Sequence, residues 1–164
     1  MKLLTKLPIL ALLAVLCYSC TADGIEDNVD AIELSLITPE TKTIEIQVLE
    51  LINDHRASLG LNTLSDMTVV KSVAFSHTDY MVINNEVSHA NFYVRSDYLK
   101  ANAGASRVSE NVAYGYSSAQ SVVNAWLKSD AHRAVIEGDF TNFDVAAEVN
   151  SEGKWYYTNI FIKK

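Results

Sequence analysis

The pattern of apolar residues predicts three helices between residues 43 and 102. The first helix is predicted over residues 43–59, with Gly60 placed to end it. The second helix is predicted over residues 66–84 with Ser65 as its N-cap. A third and shorter helix is predicted over residues 92–102.

The next part of the chain combines an extended pattern with a helical one. Residues 108–114 have the composition of a strand, which Gly115 ends. A helix is then predicted to begin at Ser117 or Ser118 and to end near residue 129. Its apolar face is formed by Ala119, Val122, Val123, Trp126 and Leu127. A further helical turn is predicted over residues 131–136.

Two strands are predicted at the C-terminus, over residues 143–149 and 154–162. The turn at residues 151–153 makes them an antiparallel hairpin. The near-continuous apolar run at 160–162 indicates that the last strand is central in its sheet. Helices come first and paired strands last, so we predict an α+β fold, a three-layer α-β-α sandwich with an antiparallel sheet.

The first 19 residues have the pattern of a secretory signal peptide. Lys2 and Lys6 give a basic start, and the apolar run over residues 7–18 is too short to span a bilayer. A small residue directly before Cys20 resembles a bacterial lipoprotein cleavage site, which predicts that Cys20 carries a lipid. The alternative is plain secretion with cleavage near Ala22.

The chain therefore divides into a lipoprotein-type signal peptide over residues 1–19, a linker over residues 20–42 and one domain over residues 43–164. The linker is rich in Asp and Glu, which is typical of a solvated spacer. A short strand within it is indicated by Ile32, Leu34, Leu36 and Ile37.

Composition and charge limit the partners of this domain. The chain is 49% hydrophobic and 20% charged, as in ordinary globular proteins. A formal net charge of −7 argues against nucleic-acid binding. The same charge is repelled by anionic lipid, so membrane contact depends on the N-terminal lipid. Cys17 and Cys20 are the two cysteines, so no disulfide or thiolate metal site is expected in the domain.

Three polar residues form a candidate site once common catalytic motifs are excluded. The chain has no glycine-rich phosphate loop, no Gly-x-Ser-x-Gly elbow and no His-Glu-x-x-His helix. His89, Glu110 and His132 are far apart in sequence, so only the fold can bring them into one cleft. Two imidazoles can bind zinc or act as acid and base, and a carboxylate can orient an imidazole, take a proton or complete a metal shell. The alternative is that each is a separate surface or structural residue.

The other two histidines are assigned structural roles. His77 lies in the apolar stripe of the second helix, which favours a hydrogen-bonded core histidine over a ligand. His55 on the first helix is predicted to be solvated. Neither belongs to the candidate site.

Six segments carry a resemblance in the same order along the chain. They are NDHRASLGLNTL at 53–64, residues 74–81, SH at 88–89, SENVA at 109–113, WLKSDAHR at 126–133 and YYTNIF at 156–161. Together they resemble the CAP superfamily, which includes cysteine-rich secretory proteins, venom antigen 5 and plant pathogenesis-related proteins. The resemblance covers roughly residues 45–164 and is closest to the short bacterial form.

The resemblance implies an α–β–α sandwich with a polar cleft, which binds zinc or another divalent ion in some family members. Carried over to this chain, His89 and His132 are the imidazoles and candidate metal ligands, and Glu110 is the carboxylate. Ser129 stands where animal members often carry a glutamate. The disulfides of eukaryotic members and the usual glycine near residues 144–146 are also absent.

We therefore expect a lipid-anchored, extracytoplasmic CAP domain that binds a lipid, glycan or protein ligand through a His/Glu cleft. One alternative is a metal-assisted hydrolase, in which His89 and His132 hold zinc and Glu110, the candidate catalytic residue, activates water. Another is a structural envelope protein whose cleft has no function. Zinc or another divalent cation is the only cofactor expected.

Overall fold

The structure, a computed structural model, describes residues 36–164. The predicted signal peptide, the lipid on Cys20 and most of the predicted linker lie outside the described residues. Leu36 and Ile37, the described end of the predicted linker strand, are not in regular secondary structure. Within residues 36–164, no helix is long and apolar enough to cross a bilayer.

Residues 36–164 form five helices and four strands. Their bounds are α1 Thr43–Ser58, β1 Ser65–Asp66, α2 Thr68–Asn84, α3 Phe92–Ala103, β2 Arg107–Tyr114, α4 Ala119–Lys128, α5 Asp130–Ile136, β3 Asn142–Val149 and β4 Trp155–Lys163. The predicted helices and the three long strands therefore begin and end close to their expected positions. Ser118 is the N-cap of α4, where its side chain accepts a hydrogen bond from the backbone of Ser121.

One predicted boundary was wrong, at the start of α2. Ser65 is not an N-cap, because it pairs with Asn142 as part of β1. The helix begins only at Thr68, after Met67, and it has no side-chain cap. The backbone N–H of Ser65 donates instead to the carbonyl of Thr141 at 3.2 Å, so a tertiary contact overrides the local capping preference.

The four strands form one sheet in the order β1-β3-β4-β2. β4 lies between β3 and β2 and is antiparallel to both, which confirms the central position predicted from its apolar run. The short β1 adds a parallel pair with β3 that was not predicted.

Helices cover both faces of the sheet, which confirms the three-layer α-β-α sandwich. On one face, α1, α4 and α5 pack over a core that includes Trp126, Phe143, Val145, Tyr157 and Phe161. On the other face, α2 and α3 pack over Val70, Val73, Leu99, Ile160 and Ile162. Trp126 is fully buried, and its indole N–H donates to the carbonyl of Val112 at 3.1 Å.

The outer edge of β3 is covered by a buried ion pair. Glu45 of α1 accepts a hydrogen bond from the backbone N–H of Ala147 at 2.8 Å. Lys71 of α2 donates to the carbonyl of Val145 at 2.7 Å and lies 2.5 Å from the carboxylate of Glu45. Both charged side chains are almost fully buried. They therefore satisfy the sheet edge that β1 is too short to pair.

Candidate functional site

Glu110 is the centre of the candidate site. It lies in β2 with its side chain towards α3, where it is 8% exposed. Arg95 of α3 binds both carboxylate oxygens, with Nε 2.7 Å from Oε2 and Nη2 2.8 Å from Oε1. The third nitrogen of Arg95 donates to the carbonyl of Ala90 at 2.7 Å, which fixes the loop before α3. This bidentate pairing holds the carboxylate in one orientation.

His89 contacts the same carboxylate from the solvent side. Its Nδ1 lies 2.9 Å from Oε1 of Glu110, while its side chain is 54% exposed. A carboxylate accepts hydrogen bonds, so Nδ1 carries the proton, and Nε2 has no hydrogen-bond partner within the described residues. The fold therefore joins His89 to Glu110 directly.

The charge state of Glu110 follows from these contacts. Burial raises the pKa of Glu110, but the hydrogen bonds from His89 and Arg95 and the charge of Arg95 outweigh burial, so the pKa lies below its ordinary value. Glu110 is therefore ionised at neutral pH, and both of its oxygens are occupied. This arrangement suits a carboxylate that orients an imidazole better than one that takes up a proton.

His77 lies behind this pair and is hydrogen-bonded in the core. It is 3% exposed, and its Nε2 lies 2.7 Å from the carbonyl of Ser88. Nε2 is also 3.9 Å from Oε1 of Glu110. Burial lowers the pKa of His77, and the charge of Arg95 lowers it further, so the ring is neutral and donates to Ser88. The sequence reasoning placed His77 in the core and missed that it supports the loop carrying His89.

His132 lies on α5, which packs on the other face of the sheet from α3. Its Nδ1 lies 2.8 Å from the hydroxyl of Ser129, and its carbonyl accepts a hydrogen bond from Asn111 at 3.1 Å. Burial lowers the pKa of His132, and the charge of His89 lowers it further. His132 makes no side-chain hydrogen bond to His89 or Glu110 within the described part of the chain. Ser129, noted in the sequence as a departure from the family pattern, thus orients the imidazole of His132.

A groove runs along this part of the sheet edge, between α3 and α5. Its volume next to Glu110 is about 200 Å³. Its apolar walls are formed by Phe92, Val108 and Val135, and its polar walls by His89, Ser109 and Glu110. The groove is therefore an open cleft with an imidazole at its rim.

The donor set for a metal ion is limited. Among residues 36–164, no group of three or more His, Cys, Asp or Glu side chains is arranged to hold an ion. His89 and His132 each use Nδ1 in a hydrogen bond and leave Nε2, the usual pattern of a metal-binding histidine. Glu110 has both oxygens occupied. The described residues thus bring two candidate ligands, His89 and His132, to the site, fewer than the three protein ligands of a catalytic zinc site.

Arg95 is the functional residue that the sequence reasoning missed. It shares the buried stripe of α3 with Leu99 and Ala103, at a spacing of four residues. A guanidinium on a buried stripe requires an anionic partner, which was the available signal. His55 was also misjudged, because it is partly buried with Nε2 2.9 Å from Glu137. That pair lies outside the groove and has no part in the site.

A family model matches most of the described residues. The model described as CAP, the cysteine-rich secretory protein family, matches residues 49–161. The chain belongs to the CAP family. The match spans α1 through β4 and includes Arg95 and every residue of the predicted cleft, namely His89, Glu110 and His132.

Two similar bacterial proteins are named as a membrane protein and as an extracellular protein. The chain is 34% identical over 126 residues to a Bacillus subtilis relative named "Uncharacterized membrane protein YlbC", covering 74% of this chain and 35% of the relative. The chain thus spans about a third of the length of that relative. An extracellular protein containing an SCP domain from Bacillus anthracis is 27% identical with a TM-score of 0.63, over 73% of this chain and 40% of that chain.

One solved structure matches in fold over nearly its whole length. It is an outer surface protein from Borrelia burgdorferi, with a TM-score of 0.69 and 22% identity over 79% of this chain and 98% of that chain. At this identity the likeness establishes the fold alone. The α-β-α sandwich of the described residues is therefore the fold of known bacterial proteins.

Proposed function

We propose that this CAP protein is extracytoplasmic, held at a membrane by a lipid on Cys20, and that its groove binds a ligand or partner. Similar proteins named as a membrane protein and an extracellular protein support the location. The small residue before Cys20 supports the anchor. The acidic domain has no electrostatic attraction to anionic lipid, so the anchor explains how such a protein stays at a surface.

The observation that carries the binding role is the preorganised imidazole of His89. Glu110 holds Nδ1, and Arg95 holds Glu110, so two buried side chains orient one exposed ring. A ring fixed before binding loses little conformational entropy when a ligand hydrogen-bonds to Nε2. Glu110 and Arg95 are thus positioning residues, and His89 is the group that touches the ligand.

The binding role is tested with a double variant. Full-length protein and His89→Ala/His132→Ala are screened by ligand-observed NMR against panels of lipids, glycans and peptides. We expect at least one class to bind the wild type and to lose affinity by tenfold or more in the double variant. His55→Ala, which changes a histidine outside the groove, is the control. Ligands that bind all three proteins equally would show that the groove is not the binding site.

The anchor is tested separately. Cys20→Ser should convert a membrane-associated protein into a soluble or unprocessed one, because no thioether-linked lipid can form. The measurement is fractionation with and without detergent. Wild-type protein that already fractionates as soluble would refute the anchor without affecting the groove.

A zinc-assisted hydrolase is a second candidate, because two Nε2 atoms lack hydrogen-bond partners within the described residues. His89 and His132 would hold the ion, which would supply Lewis acidity at the groove. An imidazole binds metal only when neutral, so zinc should raise the melting temperature at neutral pH and less at mildly acidic pH. Saturation a hundredfold above the dissociation constant would add about 2.7 kcal/mol.

Calorimetry with zinc on wild type and His89→Ala decides whether the two histidines share an ion. Equal binding by both proteins would exclude the paired-histidine site. Binding lost in the variant would establish the site, and hydrolysis would then need a substrate. A protein that binds neither metal nor any ligand class would fit the third reading, a structural envelope protein.

A further inference from the structure

β2 is an edge strand, so half of its backbone N–H and C=O groups point away from the sheet. In its antiparallel pair with β4, residues 107, 109, 111 and 113 point their N–H and C=O groups inward, since Gly115 N–H donates to Trp155 O in the same alternation. The backbone groups of Val108, Glu110, Val112 and Tyr114 consequently point away from the sheet. No hydrogen bond from the described part of the chain reaches the backbone of Val108 or Glu110.

The free part of this edge has a defined length. At Val112 the carbonyl is occupied by the indole N–H of Trp126 at 3.1 Å, so pairing cannot continue past that point. Val108 and Glu110 therefore present two N–H and two C=O groups in the alternating pattern of an unpaired strand. An extended segment of about four residues matches these groups.

Two cavities lie side by side along the free edge and share Ser109 and Val135 in their walls. On the α3 side, the cavity of about 200 Å³ is walled by His89 and Phe92. On the α5 side, a second cavity of about 200 Å³ is walled by Ala134, Val135 and Phe140. Neighbouring side chains of a strand point to opposite faces, so a strand added to this edge would place one side chain in each cavity.

The two edges of the sheet differ in whether other side chains cover their outer backbone groups. The outer groups of β3 are covered by the buried pair of Glu45 and Lys71. Proteins usually cover an unpaired edge strand or place charged side chains on it, because an exposed edge can pair with a strand of another chain. Here Glu110 lies on the free edge, yet its carboxylate turns inward to Arg95 and leaves its backbone groups facing the groove.

Charge favours one end of the groove for an acidic group. Arg107 is exposed at the end next to the α5-side cavity and stacks on the ring of Phe140 at 4.5 Å. Lys163 pairs with Asp139 at the same end, so two cations face one carboxylate there. A protein of net charge −7 thus has a locally positive patch beside the free edge.

We propose that the groove binds an extended peptide segment of a partner protein by strand addition to β2. Its backbone pairs with Val108 and Glu110, two adjacent apolar side chains enter the two cavities, and an acidic side chain reaches Arg107. This inference rests on the proposed binding function and names the partner class as peptide. The imidazole of His89 lies at the α3-side wall, where it contacts the peptide.

A synthetic peptide tests the pairing directly. The probe is acetyl-Asp-Thr-Val-Val-Thr-Asp-amide, acidic at both ends so that either strand direction suits Arg107. It is titrated into full-length protein carrying Cys20→Ser, and amide hydrogen exchange is followed by NMR. We expect exchange to slow by tenfold or more at Val108 and Glu110, while Ser109, already paired with β4, is unchanged. N-methylation of both valines should weaken binding by tenfold or more, since it removes the pairing N–H.

Two variants complete the test. Arg107→Gln should weaken peptide binding several-fold and reduce its salt dependence. Ala134→Trp, at an exposed helix position, should fill the α5-side cavity and so weaken peptide binding as well. Binding that leaves exchange at Val108 and Glu110 unchanged, or that tolerates N-methylation, would overturn strand addition. So would a failure of the peptide to bind. If another ligand then binds through His89 and His132, the proposed function stands and only this inference fails.

Discussion

The Arg95–Glu110 pair allows one prediction to be worked out in detail. Arg95→Met keeps most of the side-chain length and removes the charge. Glu110, which is 8% exposed, would then keep one close partner, His89. Removing one member of a buried ion pair costs about 3–5 kcal/mol, because the other charge stays buried. The free energy of unfolding of a domain is usually ~5–15 kcal/mol in total, so the melting temperature should fall by roughly 10 °C.

The cost of Arg95→Met should depend on pH. In the wild type the pKa of Glu110 is below its ordinary value, so the carboxylate stabilises the fold above the unfolded pKa and loses this effect as pH falls through the folded pKa. Without Arg95, burial dominates and the pKa of Glu110 rises. The variant then binds a proton on mild acidification, which removes the uncompensated charge. The difference in unfolding free energy should therefore shrink between pH 7 and pH 4.

Urea denaturation at both pH values measures this difference. Lys100→Met is the control, because its pair with Asp97 is exposed and such pairs contribute below about 1 kcal/mol. The double variant Arg95→Met/Glu110→Met should recover much of the loss, since neither charge remains buried. A cost under ~1 kcal/mol at pH 7, or an equal cost at both pH values, would refute this account of the site.

Three further predictions concern the core and the second sheet edge. Trp126→Ala should lower the unfolding free energy in urea by about 3–5 kcal/mol, and a melting temperature near that of the wild type would contradict its burial. Burial raises the pKa of Asp144 to about 6, so this group favours folding less as pH rises from ~4 to ~6, and Asp144→Asn should flatten that part of the stability–pH curve. Lys71→Met should cost about 3–5 kcal/mol by removing the buried cation 2.5 Å from Glu45, whereas Lys42→Met, at the exposed rim and 3.9 Å from Glu45, should cost under ~1 kcal/mol.

The layers of the fold could be predicted because their signals are local. The buried positions of α4 follow the 3.6-residue period, and Ser118 caps it through a contact three residues away. The continuous apolar run at the end of β4 places that strand at the sheet centre, since it is buried on both faces. The start of α2 was misplaced for the converse reason. Serine is a preferred N-cap residue, but the backbone of Ser65 pairs with β3, a strand distant in sequence.

The candidate site was predictable only in part. His89 and Glu110 were placed in one cleft by the order of the family-like segments, and the structure brings them into contact. The partner that fixes the carboxylate, Arg95, lies in a segment with no such resemblance. Its presence on the buried stripe of α3 indicates a buried anion, but fifteen residues of separation hide which one. A charged residue on the buried face of a predicted helix therefore indicates an oppositely charged partner, even where the sequence does not identify that partner.

The ionisation of the groove separates the two functional candidates by the sign of their pH dependence. An imidazole binds a metal ion only when it is neutral, so each proton that the imidazoles of His89 and His132 take up removes an acceptor for a metal. The same proton adds a positive charge that attracts a carboxylate on a peptide. Zinc binding should therefore weaken on acidification from pH 7.5 to pH 6, whereas binding of the acidic peptide should strengthen. Calorimetry at the two pH values distinguishes them, and His89→Ala should reduce the pH dependence of both. A peptide affinity that falls with acidification would show that the imidazoles act as acceptors rather than as charges.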